Sequence, residues 1–232
     1  YSPFPVSNLS DSDDTVVMDN ILKSNTDIFN VGHAGTAMRF LTAYLSKIVG
    51  RWELTGSERM QQRPVKILVD ALRKLGARIE YAGNEGFPPL KIWGSHLKGI
   101  PLELDGSVSS QYISALLMIA PTLEGGLELT LNNRITSASY IDLTLKLMAR
   151  FGIEYRWEGN KITIAEQSYK AMPFTVESDW SGASYWYEMA VLAEEADILL
   201  EGLELDSLQG DCSQAQWFED FKPTEIQTEQ TV

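Results

Sequence analysis

"KLMARFGIEYRW", residues 146–157, repeats the pattern of "ALRKLGARIEY", residues 71–81. Each stretch has apolar residues at helical spacing, then a glycine, then residues typical of a strand. Gly76 and Gly152 stand where each helix should end, because glycine accepts the positive φ angle that commonly terminates helices. The two glycines are 76 residues apart (152 − 76). The chain is therefore predicted to contain a long repeat built from helices and strands.

The segments around each glycine extend this pattern to a βαβαββ unit. The second unit is predicted as strand 100–104, helix 109–120, strand 127–131, helix 140–151 and strands 153–157 and 162–164. The first unit is predicted as strand 28–31, helix 36–46, strand 52–54, helix 64–75 and strands 78–81 and 90–93. We therefore predict an α/β fold of repeated βαβαββ units in a pseudo-threefold arrangement. Accidental similarity among α/β segments remains the alternative.

A third unit is predicted to be incomplete. It is predicted as strand 174–177, helix 182–193, strand 197–200 and a second helix near Gln209, with no closing strands. After Phe221 the chain becomes a polar run, "KPTEIQTEQTV", with too little apolar surface to be held in place. The first residue is Tyr1 and not methionine. We expect a piece of a longer protein, with residues 1–177 as one domain and residues 178–232 as the incomplete start of another.

Composition argues against several classes of function. The 232 residues carry 19 lysines and arginines against 32 aspartates and glutamates, a formal net charge of −13 that repels nucleic acid and anionic lipid. The longest apolar stretch, residues 113–123, is interrupted by Ser114 and Pro121 and is shorter than the ~20 residues that span a bilayer. One cysteine and two histidines offer neither a disulfide framework nor a zinc site. We expect a cytoplasmic protein without a metal.

Three predicted helices open with small or hydroxylated residues. These openings read "VGHAGTAMR" (31–39), "DGSVSSQY" (105–112) and "SDWSGASY" (178–185). The first turn of a helix leaves backbone N–H groups free, and the helix dipole favours negative charge there. Each opening could therefore bind an anion. Serine and aspartate also cap helices without any ligand, so capping remains the alternative at each of them.

Arginines near these openings favour the anion interpretation. Arg39 lies in the first turns of one helix, and Arg63 precedes Pro64, which is expected at the first position of the next. A cation at the positive end of a helix dipole is unfavourable by about 0.3–1 kcal/mol unless an anion lies between them. Arg59 is expected to extend into water or to pair with Glu58 instead.

Further polar residues stand at the starts of predicted helices. Ser109, Ser110 and Gln111 offer two hydroxyls and an amide, which suit both phosphate oxygens and polyol hydroxyls. Ser137 and Tyr140 begin the following helix.

Other candidate residues point less clearly to a site. The aspartates at positions 11, 13 and 14 are expected to cap a helix and not to bind a metal, since ligand spacing is missing. His33 could contact a ligand or cap its turn. Cys212 is expected to be an unreactive thiol, because no histidine or cationic cluster adjoins it in sequence.

Four of the chain's strings together resemble the 5-enolpyruvylshikimate-3-phosphate synthase family. They are "GHAGTAMRF", "RMQQRPVKILVDALRKLGA", "DGSVSSQYISALLMIAP" and "SYIDLTLKLMARFGIEY", and the resemblance runs from about Asn8 to Gly210. It implies the enolpyruvyl transferase fold, with two domains of three βαβαββ units each, of which this chain would hold most of one. It also implies transfer of the enolpyruvyl group of phosphoenolpyruvate to the 5-hydroxyl of shikimate 3-phosphate, with release of phosphate.

The resemblance assigns roles to residues that match the family's motifs. It places Gly35 and Arg63 at phosphoenolpyruvate and Arg39 beside them as a supporting cation. For shikimate 3-phosphate it implies contacts from four residues and a pocket wall from a fifth: Ser109, Ser110, Gln111, Ser137 and, as the wall, Tyr140. It implies small-molecule partners, no cofactor and a monomeric full-length enzyme.

Several features depart from the family. His33 replaces the usual asparagine, and the segment between Leu22 and Val31 is shorter than in some members. An early Lys, Ser and Arg motif is expected before Asn8, and the catalytic acids and lysines are expected in a second half. The catalytic residues are therefore left unassigned, and the chain alone is predicted to be inactive.

Two other functions remain as alternatives. One is a non-catalytic anion-binding module or inactive remnant. The other is the related transferase that acts on UDP-N-acetylglucosamine, whose loop before Arg-Pro holds a reactive cysteine. The corresponding loop here, "GSERMQQRPV" at residues 56–65, has none.

Overall fold

The computed structural model describes residues 5–219 and 225–229. Within this part of the chain, residues 10–170 form one compact unit, and the described residues from 171 onward form another together with residues 5–9. The domain division at residues 177 and 178 stays a prediction.

Strands and helices alternate along the chain. The strands are β1 (Val6–Ser7), β2 (Ile28–Asn30), β3 (Arg51–Thr55), β4 (Arg78–Tyr81), β5 (Leu90–Trp93), β6 (Pro101–Asp105), β7 (Leu127–Asn132), β8 (Arg156–Glu158), β9 (Lys161–Ile164), β10 (Phe174–Thr175), β11 (Asp197–Glu201) and β12 (Glu225–Glu229). The α-helices are α1 (Asp13–Lys23), α2 (Gly35–Leu45), α3 (Lys66–Lys74), α4 (Ser110–Ile119), α5 (Ala138–Arg150), α6 (Trp180–Leu192) and α7 (Gln214–Glu219). Short 3-10 helices span Met60–Gln62, Ala120–Thr122 and Gly210–Ser213.

The two sheets of the larger unit have the same topology. Their strand orders are β2-β3-β5-β4 and β6-β7-β9-β8. In each sheet the first two strands in sequence pair in parallel, and the fourth pairs antiparallel with both the second and the third. A parallel pair requires a crossover, which α2 supplies in the first repeat and α4 in the second. The predicted βαβαββ pattern is therefore confirmed for both repeats of the larger unit.

Two predicted boundaries in this unit are wrong. Pro64 was expected at the first position of a helix, but α3 begins at Lys66, since the backbone of Val65 lies outside the helical region (φ −132°, ψ 4°). The strand expected at 153–157 begins only at Arg156. Its length is limited by its partner, because β8 pairs with β9 over three residues. Ile153 instead joins the core, with 2% of its surface exposed.

The core of this unit centres on α4. Six consecutive residues of the helix, Tyr112 to Leu117, are buried. A helix that is apolar on all sides is stable only when other elements surround it, and α2, α3 and α5 all contact α4. The serine hydroxyl in this run, that of Ser114, is 2.7 Å from the Thr144 hydroxyl of α5. Burial of α4 therefore holds the two repeats together.

Leu116 should contribute strongly to stability, because it is fully buried in α4. We expect Leu116→Ala to lower the free energy of unfolding by about 2–5 kcal/mol through lost apolar burial and the cavity left behind. Val49, which is 93% exposed, provides the control. Val49→Ala should change stability by less than about 0.5 kcal/mol. Urea unfolding measures both, and equal effects would contradict the central place of α4.

The smaller unit is organised around Trp180. This side chain is fully buried and packs with Ala183, Tyr187 and Leu203. Its indole Nε1 donates to the carboxylate of Glu177 and to the carbonyl oxygen of Glu204. β1 pairs in parallel with β10, and β11 with β12. In this unit β12, the third strand of the predicted third repeat, therefore pairs directly with its second strand, β11. In the two complete repeats the third strand pairs with the fourth instead.

The expectation that residues 222–232 are not held in place is wrong for part of that run. Residues 225–229 form β12, which pairs with β11 over five residues. Main-chain hydrogen bonds to a neighbouring strand do not require apolar side chains, and the β-branched Ile226 and Thr228 favour extended backbone. Residues 220–224 and 230–232 lie outside the described part.

Within the described residues, no helix is both long enough and apolar enough to cross a bilayer.

Candidate anion-binding site

The first candidate turn connects β2 to α2. Gly32 adopts a positive φ of 56°, and its N–H donates to the Asn30 side chain at 2.9 Å, so the chain turns sharply after the strand. The N-cap position of α2 is Ala34, which has no side-chain oxygen to accept the first backbone N–H groups of the helix. Without a capping side chain these N–H groups can serve a ligand. The start of α2 therefore fits the anion interpretation.

The guanidinium of Arg63 lies over this helix start. A Cβ atom built on Gly35 would be 2.5 Å from Nη1 of Arg63, so only glycine leaves space for the arginine there. Arg63 follows the 3-10 helix Met60–Gln62 and is exposed. Among the described residues, its side chain makes neither an ion pair nor a hydrogen bond. Gly35 and Arg63 are therefore brought together, and their roles toward a ligand stay predictions.

Arg39 lies beside them as a second cation. It is only 4% exposed, and its Nη1 donates to the carbonyl oxygen of Gly35 at 3.0 Å. The guanidinium carbon lies 5.9 Å from the ring centre of Tyr112. Its buried Nε has no hydrogen-bond partner in the described part of the chain. Burial, and after it the positive charge of Arg63, lowers the pKa of Arg39.

These two arginines create a local excess of positive charge in an acidic protein. The ion pairs found among the described residues include neither Arg39 nor Arg63. Two neighbouring guanidinium groups repel each other, and burial of one of them strengthens that repulsion. An anion bound beside Arg63 at the start of α2 would relieve it and would accept charge-assisted hydrogen bonds.

A second donor-rich turn lies next to the first. The hydroxyl of Ser109 accepts the N–H of Gln111 at 3.4 Å, which is a long capping bond. Ser110 is the first residue of α4, and the side-chain amide of Gln111 donates to the hydroxyl of Thr36 in α2 at 3.0 Å. Thr36 and Gln111 are each the second residue of their helices. The starts of α2 and α4 therefore lie side by side.

The loop before α4 is held by one carboxylate. Asp105 accepts the N–H and the hydroxyl of Ser107 at 2.8 and 2.6 Å, and the side-chain amide of Asn133 at 2.9 Å. These hydrogen bonds, those from Ser107 first, lower the pKa of Asp105. An ionised Asp105 thus fixes the loop that leads to Ser109.

The start of α5 contributes the remaining predicted residues. Ser137 occupies the N-cap position and makes no side-chain capping bond. Tyr140 is 53% exposed, and its carbonyl oxygen accepts the Thr144 hydroxyl at 2.9 Å. Because Thr144 also contacts Ser114, the first half of α5 lies against α4. Ser137 and Tyr140 therefore stand at the start of a helix that packs against α4, although no hydrogen bond joins them to the Ser109–Gln111 turn in the described structure.

The third candidate turn differs from the other two. Asp179 caps α6, and its carboxylate accepts the N–H groups of both Ser181 and Gly182 at 3.0 Å. The N–H of Trp180 is taken by the side chain of Gln209 at 2.9 Å. Side chains of the protein therefore occupy the donors expected to bind an anion. The anion interpretation is therefore wrong for this turn, and the alternative, capping of the helix by its own side chains, is observed.

His33 is held by the neighbouring loop. Its Nδ1 lies 2.9 Å from the Ser57 hydroxyl, and the N–H of Ser57 donates to the carbonyl oxygen of Gly32 at 2.9 Å. The N-cap of α2 is Ala34, so His33 does not cap the helix. The histidine ties the turn before α2 to the segment that leads to Arg63.

Within the described residues, no group of three or more histidine, cysteine, aspartate or glutamate side chains could hold a metal ion. Asp13 and Asp14 lie in the first turn of α1, where carboxylates complement the helix dipole.

Two residues at the site were missed by the sequence analysis. Tyr112 and Thr36 read as ordinary helix residues, but each makes a polar contact between the two repeats. The equivalent positions of Thr36 and Gln111 in successive repeats were the signal that could have identified their pairing.

Comparison with known proteins identifies one family. The family model for EPSP synthase (3-phosphoshikimate 1-carboxyvinyltransferase) matches residues 6–231. A 3-phosphoshikimate 1-carboxyvinyltransferase of Bacteroides fragilis is 56% identical over 213 residues, which cover 91% of this chain and 52% of that protein. Its counterpart in Pseudoalteromonas translucida is 42% identical over 195 residues, covering 82% and 45%. The chain thus spans about half the length of the curated relatives it matches.

Solved structures agree with this result. An EPSP synthase structure from Acinetobacter baumannii superposes with a TM-score of 0.66 at 30% identity, covering 79% of this chain and 41% of that one. A second structure from the same organism gives a TM-score of 0.63 at 29% identity, covering 74% and 38%. These similarities support the predicted enolpyruvyl transferase fold.

Proposed function

Because the chain belongs to the EPSP synthase family, we propose that it is the substrate-binding part of a 3-phosphoshikimate 1-carboxyvinyltransferase. The complete enzyme would transfer the enolpyruvyl group of phosphoenolpyruvate to the 5-hydroxyl of shikimate 3-phosphate and release phosphate. The observation that carries this proposal is the pair of arginines without carboxylate partners at the start of α2, beside the hydroxyl-rich start of α4.

The α2 turn fits phosphoenolpyruvate. Arg63 would pair with an anionic group of the ligand, and Gly35 leaves room for that guanidinium against the first residue of α2. Arg39 would add positive charge from below without direct contact, since it is buried and already bonded to Gly35. A small ligand with both a phosphate and a carboxylate is well matched to two guanidinium groups and a helix start.

The α4 turn fits a phosphorylated polyol. Ser109, Ser110 and Gln111 combine hydroxyls, an amide and backbone N–H groups, which can bind phosphate oxygens and neutral hydroxyls together. Ser137 and Tyr140 on the adjoining helix would complete this pocket. Gln111 lies between the two turns, so the two substrates would bind next to each other.

This chain would bind and orient the substrates without supplying the chemistry. In the reaction, the 5-oxygen bonds to C2 of phosphoenolpyruvate while C3 takes a proton, and phosphate then leaves as C3 loses a proton. Both steps need a general acid and base close to those atoms. Arginine is not suited to that role at neutral pH. We propose that the catalytic groups belong to the part of the relatives that this chain does not match.

Binding of shikimate 3-phosphate by this chain tests the proposal. We expect a dissociation constant in the millimolar range, because an open half-site lacks contacts on one side. Shikimate without the phosphate should bind at least tenfold more weakly, since a charge-assisted hydrogen bond contributes about 1.5–3 kcal/mol. NMR titration measures both affinities. Equal binding of the two compounds, or no binding of either, would contradict the proposed function.

Ser110 separates the two proposed pockets. We expect Ser110→Ala to weaken shikimate 3-phosphate about 2- to 12-fold, the loss of one neutral hydrogen bond of about 0.5–1.5 kcal/mol. Affinity for phosphoenolpyruvate should stay within twofold. The exposed Ser168 provides a control, and Ser168→Ala should change neither affinity. Equal weakening of both ligands by Ser110→Ala would contradict the assignment of this serine to one pocket.

A non-catalytic anion-binding module is the second candidate. It is favoured by the absence of a carboxylate, histidine or lysine among the residues assigned to the described site. Release of phosphate from phosphoenolpyruvate in the presence of shikimate 3-phosphate distinguishes the two candidate functions. A non-catalytic module would release none, even when it is joined to the remaining half of a relative. The transferase that acts on UDP-N-acetylglucosamine is disfavoured, because residues 56–65 contain no cysteine. Cytoplasmic location and a monomeric full-length state stay predictions.

A further inference from the structure

Tyr112 connects the start of α4 to the segment that carries Arg63. The side chain is 7% exposed, and its hydroxyl donates to the carbonyl oxygen of Pro64 at 2.5 Å. Pro64 directly follows Arg63, so this hydrogen bond holds the Pro64–Val65 peptide group, one residue after the arginine. Proline has no N–H and a restricted φ angle, which limits how the segment can move once its carbonyl is held. The position of Arg63 therefore depends on α4.

The same tyrosine adjoins the other proposed pocket. It follows Gln111 in the first turn of α4, and Gln111 is bonded to Thr36 of α2. Its ring lies under the guanidinium of Arg39, at 5.9 Å from centroid to carbon. The Tyr112 side chain therefore contacts both Arg39 and the backbone next to Arg63. Tyr112 also directly follows Gln111, the residue that joins the two turns.

We propose that Tyr112 is a positioning residue that couples the two substrate pockets by holding Arg63 over Gly35. The identity of the ligands in this proposal rests on the proposed function. A ligand that orders the first turn of α4 also orders the Tyr112 hydroxyl, and through Pro64 it restricts the arginine to the place where it meets the second ligand. Ordering caused by one ligand then favours the binding of the other.

The hydroxyl of Tyr169, which lies away from the proposed pockets, provides a control for that of Tyr112. Tyr169 also donates to a backbone carbonyl, that of Met118, at 2.8 Å. Met118 lies near the end of α4, whereas Tyr112 and the proposed pockets lie at its beginning. Tyr112→Phe and Tyr169→Phe thus remove the same kind of hydrogen bond from the two ends of one helix. Both should lower thermal stability, and only the first should alter ligand coupling.

Calorimetric titration of this chain with phosphoenolpyruvate, with and without saturating shikimate 3-phosphate, tests the inference. The unmodified chain should bind phosphoenolpyruvate more tightly when shikimate 3-phosphate is present. Tyr112→Phe should reduce this enhancement at least threefold. Tyr169→Phe should keep the enhancement. The NMR signal of the Arg63 Nε–Hε group should shift in Tyr112→Phe and stay in place in Tyr169→Phe.

Three outcomes would overturn the inference: full enhancement in Tyr112→Phe, an equal loss in Tyr169→Phe, or no enhancement in the unmodified chain. In each of them shikimate 3-phosphate still binds, and the proposed function stands. An unmodified chain that binds neither ligand would instead contradict the proposed function and this inference with it.

Discussion

The Arg63→Ala variant is expected to bind phosphoenolpyruvate at least tenfold more weakly than the unmodified chain. Its guanidinium is exposed, lies over the first residue of α2 and has no carboxylate partner in the described structure, so its charge is available to a ligand. Loss of one charge-assisted contact costs about 1.5–3 kcal/mol, which corresponds to 10- to 150-fold in affinity. NMR titration with phosphoenolpyruvate measures the change. Affinity for shikimate 3-phosphate should change much less.

Two further variants make this test specific. Arg59 lies four residues earlier, is also exposed and is not placed at the pocket, so Arg59→Ala should leave affinity within twofold. Arg63→Lys keeps the charge without the planar fork of donors and should fall between the unmodified chain and Arg63→Ala. If Arg59→Ala weakens binding as much as Arg63→Ala does, the effect comes from the overall charge of the segment and the assigned role of Arg63 is wrong.

The Gly99→Ala variant is expected to destabilise the larger unit by about 3 kcal/mol or more, the upper range for overpacking a buried contact. Gly99 lies in the segment that joins the two repeats, and its N–H donates to the carbonyl oxygen of Glu124 at 2.8 Å. A Cβ atom there would overlap the carbonyl group of Gly126. The obstacle is backbone and not a flexible side chain, so either strand β7 or the connecting segment would have to move.

Gly83→Ala is the matched control for this prediction. Gly83 also lies in a loop of the same unit, but the nearest atom to an added Cβ would be 3.9 Å away, on Pro89. The substitution should therefore change stability by less than about 1 kcal/mol, since it mainly reduces the freedom of the unfolded chain. Chemical denaturation of both variants measures the difference. If the two variants have similar free energies of unfolding, the segment around Gly99 relaxes easily, and the prediction that it is closely packed is wrong.

The sequence predicted helices and strands well where the signal is local. The helix starts expected at residues 36 and 109 lie within one residue of α2 and α4, because apolar spacing and the polar residues before each helix carry that information. The wrong boundary at Pro64 arose from a rule about helix starts that ignores the preceding 3-10 turn. The missed strand β12 depends on a partner about 28 residues earlier (225 − 197), which a polar composition does not reveal.

The candidate site was predicted in its parts and not in its assembly. Arg39 and Arg63 were predicted to lie near a bound anion, because cations at helix starts are unfavourable without one. Their roles toward particular ligands came only from the family resemblance and remain proposals. The turn before α6 has the same kind of residues, but Asp179 folds back onto its own helix and fills the donors. Whether such a turn is capped or free depends on side-chain geometry that short motifs do not specify.

The repeated order of helices and strands follows from the chain's own periodicity, since apolar spacing and helix-ending glycines act over a few residues. The contacts that make the site depend on pairs far apart in sequence: Gln111 with Thr36 across 75 residues, and Tyr112 with Pro64 across 48. Such pairs form only after α4 is buried between its neighbours, because close packing then leaves each polar group few places to find a partner. Local patterns therefore determine the elements, and burial determines which of their ends meet.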